Sequence, residues 1–254
     1  MMSIRPKKHL GQHFLTDENI ASKIAGSLTG NCSNLLEIGP GEGMLTKYLV
    51  RDELNLKLIE IDDESVSFLR SRFPQLSNDI LHADFISKTA EPAFEEEFAV
   101  IGNFPYNISS QILFKILEYR DRIPEVVGMF QKEVAERIAS PPGNKTYGIL
   151  SVLVKAYYHI EYLFTVSEHV FRPPPKVKSA VIRLTRHTKS YEGLNEKLFF
   201  RIVKAGFNQR RKTLRNSLKN AGFPTEKLQD NIFLKRPEQL SVEEFLDITK
   251  TINL

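Results

Sequence analysis

Asn34-Leu35-Leu36-Glu37-Ile38-Gly39-Pro40-Gly41-Glu42-Gly43 decides the fold. An apolar strand, Asn34–Ile38, runs into a glycine-rich turn that opens a helix over Met44–Arg51. Glycine suits this turn because the backbone must bend sharply and let a ligand lie against it. Outward from it, strand and helix signals alternate. Upstream, Thr16 or Asp17 can cap a helix to about Leu28, with Ile20, Ile24 and Leu28 on its apolar face. Downstream, Leu56–Ile61 reads as a second strand and Glu64–Phe73 as a helix, with Ile80–His82 as a short third strand. Phe98–Gly102 is a fourth strand before a helix over Ser109–Tyr119, and Val126–Phe130 a fifth before a helix over Gln131–Ala139. This alternation predicts an α/β fold, with a mainly parallel sheet covered by helices on both faces.

Ser140–Lys145 (SPPGNK) interrupts the pattern. Beyond it Ile149–Ala156 reads as helix, and Tyr158–Val166 and Val177–Arg186 as two late strands, antiparallel additions at the sheet edge. Past about Ser190 only helical signals remain: Leu194–Ala205, Arg211–Asn220, Glu226–Asn231 and Val242–Ile252. Ser241 and Glu244 make a capping box for the last. A boundary near 188–194 follows, giving one domain over 1–190 and a small all-α domain over 191–254. Residues 1–10 read as a flexible basic arm.

Of the 254 residues, 41% are hydrophobic, enough for a real core. No apolar run approaches the roughly 18 residues of a membrane span, and the basic N-terminus lacks the apolar block of a secretory signal. The single cysteine, Cys32, permits no intrachain disulfide, and the scattered histidines form no zinc-ligand spacing with it. A reducing cytoplasm and no metal are expected. Charge is segregated: His169–Thr225 holds fourteen lysines and arginines against Glu192 and Glu196, a local +12 in a chain of net +4. Such a surface suits a polyanion such as nucleic acid.

Glu60 lies 21 positions after Gly39, at the end of the second strand, where a carboxylate can accept both hydroxyls of a ribose. A dinucleotide site would want a third glycine at 44, but the residue is Met44, so the helix start is less suited to a pyrophosphate. S-adenosylmethionine, which has a ribose and no phosphate, tolerates that departure. Asp84, after the third strand, can accept from an adenine amino group or cap a helix.

The fourth strand runs into Asn103-Phe104-Pro105-Tyr106. This tetrapeptide is similar to the N-L-P-Y signature of RNA N6-adenine methyltransferases, with Phe104 in place of leucine. The N6 lone pair of adenine is delocalised into the ring and is a poor nucleophile. Acceptors aimed at its two protons, the Asn103 oxygen and a backbone carbonyl near Pro105, favour rehybridisation, and proline fixes their geometry. No general base is needed before attack. Tyr106 offers a face for an extruded base. Phe171-Arg172-Pro173-Pro174-Pro175-Lys176-Val177-Lys178-Ser179-Ala180-Val181 resembles the late F-x-P-x-P-K-V-x-S-A motif of the same enzymes, with Phe171 as a second stacking face.

The likeness extends from Lys7 to about Leu246. Gly11-Gln12-His13-Phe14-Leu15, Met129–Ala135, Phe207–Asn216 and Arg236–Ser241 are similar to segments of the KsgA-type small-subunit rRNA adenine dimethyltransferases. The resemblance implies a Rossmann-like class I methyltransferase domain and S-adenosylmethionine as cofactor. It also implies dimethylation at N6 of two adjacent adenosines in a hairpin near the 3′ end of small-subunit rRNA, on the immature small ribosomal subunit. By position, cofactor contacts fall to His13, Leu15, Gly39, Gly41, Glu60, Ile61, Asp84, Phe85 and Asn103, and the base side to Asn103, Pro105, Tyr106 and Phe171. Arg210, Arg211, Lys212 and Arg215 are the expected RNA contacts, and a monomer without a membrane partner is expected. Two rivals remain: an Erm-type large-subunit rRNA methyltransferase, and a non-catalytic RNA-binding factor of the same fold. The intact glycine loop, Glu60 and Asn103–Tyr106 argue against the second.

Overall fold

The computed structural model describes residues 4–87, 93–188, 191 and 193–253. Its elements in chain order are β1 (Phe14–Leu15), α1 (Glu18–Ala25), β2 (Asn34–Ile38), α2 (Thr46–Leu49), β3 (Asn55–Glu60), α3 (Asp63–Arg72) and β4 (Ile80–His82). There follow β5 (Ala99–Asn103), α4 (Ser109–Glu118), β6 (Glu125–Gln131), α5 (Lys132–Ala139), α6 (Ile149–Lys155) and β7 (Tyr158–Val166). Last come β8 (Phe171–Arg172), β9 (Ser179–Arg186), α7 (Glu196–Asn208), α8 (Leu214–Asn220) and α9 (Val242–Asn253).

The chain forms two compact units. The first joins residues 1–135 to 159–186, and the second joins 136–158 to 187–254. The expected split at 190/191 therefore differs from the structure in one respect: residues 136–158 leave the sheet-bearing unit. Burial explains this. Leu150 through Val154 are all buried, so α6 has no outward face and needs helices around it. In the second unit Tyr147 meets the edge of Phe207 at 5.9 Å, Phe207 packs on Phe245 at 6.0 Å, and the Gly143 N–H donates to the Glu238 carbonyl at 2.7 Å. The expected boundary segment 188–194 includes 189, 190 and 192, which lie outside the described residues.

In the first unit, seven strands stand in the order β4-β3-β2-β5-β6-β9-β7. β2 pairs in parallel with β3 on one side and β5 on the other; β3–β4 and β5–β6 are also parallel, and β9 is antiparallel to β6. The strand order thus reverses between β2 and β5, and such a switch point opens a crevice at the carboxyl ends of the strands. The core beneath it gathers Leu35, Leu58, Ile101, Val127 and Val181 with α1 and α3 residues Ile24 and Leu69.

Several bounds shift for local reasons. Asp17 caps α1 by accepting from Ile20 N, and the helix ends at Ala25 before Gly26. α2 starts only at Thr46 because residues 41–45 are spent in turns. α8 starts at Leu214 because the Thr213 side chain accepts from Asn216 N. The helix expected at 226–231 is replaced by two 3-10 turns, Thr225–Leu228 and Asn231–Leu234. Ser241 and Glu244 form the reciprocal bonds of a capping box, at 2.8 and 3.1 Å.

Residues 1–3 of the expected flexible arm lie outside the described residues; the rest of it is held down. Ile4 is buried and its N–H donates to Glu42 Oε1 at 3.0 Å. Lys7 Nζ pairs with Asp62, and with Glu64 at 3.1 Å, while Gln12 Nε2 donates to Asp62 Oδ2 at 3.1 Å. The arm then forms β1, antiparallel to β8 with Phe14 opposite Arg172 and Leu15 opposite Phe171. Acidic side chains in the loops after β2 and β3 supply partners that the arm's own sequence does not reveal.

Candidate active site

The carboxyl ends of β2, β3 and β5, closed over by the arm, enclose a cleft of about 250 Å³. Gly39, Gly41 and Gly43 all adopt positive φ. Gly41 has a second constraint: a Cβ there would stand 2.8 Å from the Phe14 ring, so the turn and the arm fit only without one. Glu60 is buried beside this turn. Its Oε2 accepts from Gly41 N at 3.1 Å and its Oε1 from Ile61 N at 2.9 Å and Asp62 N at 3.0 Å. Burial pushes its pKa up, the three N–H groups oppose that, and the neighbouring Asp62 charge adds to it. A carboxylate has about four lone-pair sites, so one remains after these bonds for a ligand hydroxyl.

Glu37 was not singled out from the sequence, yet it lines the same cleft. It is 1% exposed, and Thr46 Oγ1 donates to it at 2.7 Å. Burial pushes its pKa up to about 8; the threonine bond opposes this and the Glu60 charge reinforces it. The available signal was an acidic residue inside the otherwise apolar NLLEI strand.

On the other side stands the turn after β5. The slot taken by Phe104 is made by two glycines. A Cβ at Gly102 would lie 2.6 Å from the ring and one at Gly128 2.5 Å from it, and Phe130 meets the ring edge-on at 5.1 Å. These glycines are why phenylalanine fits where the related signature has leucine. Asn103 Nδ2 donates to the His13 carbonyl at 2.9 Å. A carbonyl can only accept, so this bond fixes the amide's orientation and leaves Oδ1 as the end available to a ligand. The Pro105 carbonyl accepts from Ile108 N and Ser109 Oγ, both at 3.3 Å, at the weak end of the hydrogen-bond range. Tyr106 stacks on His13, with ring centroids 5.3 Å apart and planes at 27°. His13 Nδ1 donates to the Pro173 carbonyl at 2.8 Å.

Of the expected residues, His13, Leu15, Gly39, Gly41, Glu60, Ile61, Asp84, Asn103, Pro105 and Tyr106 all border this cleft. Asp84 does so while its Oδ1 accepts from Ile86 N at 3.0 Å, and that turn puts Ile86 rather than Phe85 on the wall. Phe85, between them in the chain, is half-buried. Phe171 is also corrected: pairing with Leu15 turns it into the core, where it is 4% exposed, so it offers no face to the cleft. Gln12, Phe14, Met44 and Asn107 line the cleft without having been singled out.

The four basic residues expected to meet RNA divide in two. Arg210 is bonded to Glu238 at 2.8 Å and to the Asn144 carbonyl at 3.2 Å, and Arg215 to the carbonyls of Leu228 and Gln229 at 2.8 and 2.9 Å. Both tie the second unit together. Arg211 and Lys212 are exposed.

Among the described residues that line the cleft there is no lysine or arginine, but there are four acids, Glu37, Glu42, Glu60 and Asp84. A pyrophosphate would find no counter-charge here. A ribose carried by a cationic, phosphate-free molecule finds acceptors on several sides. S-adenosylmethionine, with its ribose, sulfonium and ammonium, fits that donor set. Among the described residues no group of three or more His, Cys, Asp or Glu side chains could hold a metal ion, and no helix is long and apolar enough to cross a membrane.

Residues 4–254 match the family described as ribosomal RNA adenine dimethylase. The chain is 56% identical, over 100% of its own length and 99% of the relative's, to the ribosomal RNA small subunit methyltransferase A of Cytophaga hutchinsonii. To the protein of the same name from Flavobacterium johnsoniae it is 57% identical, over 99% and 97%. Among solved structures it resembles a dimethyladenosine transferase from Plasmodium falciparum, with TM-score 0.79 and 29% identity over 95% of this chain and 98% of that one. It also resembles the 23S rRNA methyltransferase ErmE, with TM-score 0.66 and 28% identity over 95% and 100%.

Proposed function

The chain belongs to the ribosomal RNA adenine dimethylase family, and from that premise we propose how its cleft serves the reaction and where on the RNA it acts. It is an S-adenosylmethionine-dependent rRNA adenine dimethyltransferase of the small-subunit type. Identity to the small-subunit enzymes is about twice that to ErmE, which sets the large-subunit alternative aside. Its targets are two adjacent adenosines of the 3′-terminal hairpin, met as part of the immature small subunit, in the cytoplasm, by a monomer.

S-adenosylmethionine supplies a methyl group activated by its sulfonium. Glu60 takes one ribose hydroxyl on the Oε2 lone pair that its backbone partners leave. Gly39 and Gly41 let the ligand lie against bare backbone, Asp84 receives the adenine amino group, and Ile61 and Ile86 flank the adenine. Glu37, its pKa pushed up to about 8 by burial, borders the same half of the cleft. His13 and Leu15 close the cleft from the arm. Across from them Tyr106 receives the extruded target base, while Asn103 Oδ1 and a backbone carbonyl near Pro105 accept the two N6 protons. The lone pair is thereby turned out of conjugation toward the sulfonium methyl. As the N–C bond forms, the C–S bond breaks with its electron pair returning to sulfur, and the alkylated amine, now acidic, releases its proton to water. Arg211 and Lys212 meet RNA phosphates.

The orientation of Asn103, set by its bond to His13, carries this reading, because it leaves an acceptor at the place where the chemistry needs one. The test is to incubate the protein and labelled cofactor with unmethylated small subunits or large subunits, then map modified adenosines by mass spectrometry. Two adjacent dimethyladenosines near the small-subunit 3′ end are expected. Label confined to the large-subunit RNA would reject the assignment.

A further inference from the structure

The stretch from Phe171 to Val181 loses its expected role once Phe171 is found in the core, yet its far end reaches the base side of the cleft. Ser179 opens β9 opposite Gln131 of β6 and is fully buried. Its hydroxyl lies 2.5 Å from the phenol oxygen of Tyr106. β6 also pairs with β5, with Met129 opposite Asn103. One strand pair thus governs two parts of the base site: Asn103 by ladder register, and Tyr106 through the first side chain of β9. Burial pushes the Tyr106 phenol pKa up and the Ser179 bond opposes it. The phenol therefore stays protonated at neutral pH and keeps the bond. A tyrosine side chain samples a few staggered rotamers, and a hydrogen bond to its far end selects among them. Here Ser179 holds the far end, and His13 lies against one face.

We infer that Ser179 is a positioning residue for base capture: it locks the Tyr106 ring in the plane on which the target adenine stacks, so that N6 arrives at the Asn103 amide oxygen. This rests on the reading of Tyr106 as the stacking platform.

The experiment compares Ser179→Ala, Tyr106→Phe, their double variant and Tyr106→Ala. Single-turnover methylation of unmethylated small subunits is measured at saturating cofactor and RNA. In parallel, fluorescence quenching is measured for an RNA hairpin carrying 2-aminopurine at the target position. Each hydroxyl deletion is expected to slow methylation about tenfold and to weaken the quenching, with cofactor affinity unchanged by calorimetry. The double variant should be no slower than either single one, because both remove the same bond. Losses that multiply would overturn the inference, as would a normal rate and normal quenching in Ser179→Ala. Tyr106→Phe leaves Ser179 in place, so a normal rate and quenching there also overturn it, even if Ser179→Ala does not fold. Equal losses of melting temperature and cofactor affinity in Ser179→Ala would mark a packing role instead. A normal Tyr106→Ala would sink the platform reading itself, whereas a defective Tyr106→Ala beside a normal Ser179→Ala sinks only the role of Ser179.

Discussion

The cofactor half and the base half of the cleft are assembled on different scales. Glu60 is held by N–H groups at positions 41, 61 and 62, all within the first βαβ unit. The base half draws Asn103 to His13 across 90 positions, Tyr106 to Ser179 across 73, and His13 to Pro173 across 160. Local backbone builds the first half, and the second exists only when the whole unit has folded. Damage to the cofactor half should therefore appear in cofactor affinity. Damage to the base half should appear in the rate of a step that needs all its parts at once.

Asn103→Ala gives the sharpest test of that contrast. Losing one preorganised acceptor in a water-excluded site typically costs about 10²–10³ in rate. Single-turnover measurements at saturating cofactor and RNA should show this loss with RNA affinity little changed. A near-normal rate for both methyl additions would erase the distinction between the halves.

Glu60→Ala should move the other quantity. Charge-assisted bonds to the ribose contribute about 1.5–3 kcal/mol, so calorimetry should show cofactor binding weakened by about 10- to 150-fold. Unchanged affinity would take Glu60 out of the site and leave it as a brace for the glycine turn.

The same local-against-distant contrast divides the basic residues of the second unit. Arg211 and Lys212 are exposed, whereas Arg210 and Arg215 are bonded within the unit. Replacing Arg211 and Lys212 with glutamine should lower the slope of log affinity against log salt by about two, with the melting temperature unchanged. Replacing Arg210 and Arg215 should instead lower the melting temperature, since part-buried and exposed bonds within the unit are lost, at about 0.5–1.5 kcal/mol each. If the two pairs behave alike in both assays, their division by bonding carries no functional weight.

A pH-dependent test concerns Glu37. Its pKa in the folded protein is about 8, against an ordinary 4.5. Below about 4.5 both folded and unfolded states are protonated. Between there and 8 the unfolded chain gives up the proton while the folded one keeps it, so stability declines as pH rises through this window. Glu37→Gln removes that titration. Its melting temperature should match the wild type at pH 4 and exceed it at pH 8, by about 2–4 °C for each kcal/mol recovered. A constant difference across this range would mean that Glu37 does not titrate as its burial implies.

The parallel strands were legible because each is a short apolar run closed by a turn, a signal contained in a few neighbouring residues. The glycine loop and Glu60 could be read for the same reason: their spacing follows from one βαβ unit. Asn103 and Tyr106 were legible through the resemblance of their tetrapeptide. The basic stretch announced a polyanion surface, but not which of its arginines would be consumed by the protein itself.

Sequence by itself determined the α/β architecture and marked the glycine turn with Glu60 and the Asn103–Tyr106 turn as parts of one site, since each rests on residues close together in the chain. Only the tertiary structure decided that the arm folds over the cleft, that Phe171 enters the core, and that residues 136–158 join the helical unit. It alone showed that Ile86 replaces Phe85 on the wall, that Glu37 is a buried acid beside Glu60, and that Ser179 grips Tyr106. The physical reason is the same in each case. Whether a side chain is buried, paired or free depends on how the folded chain surrounds it, by partners as near as Asp84 is to Ile86 or as distant as Ser179 is from Tyr106, and the linear pattern does not show which arrangement results.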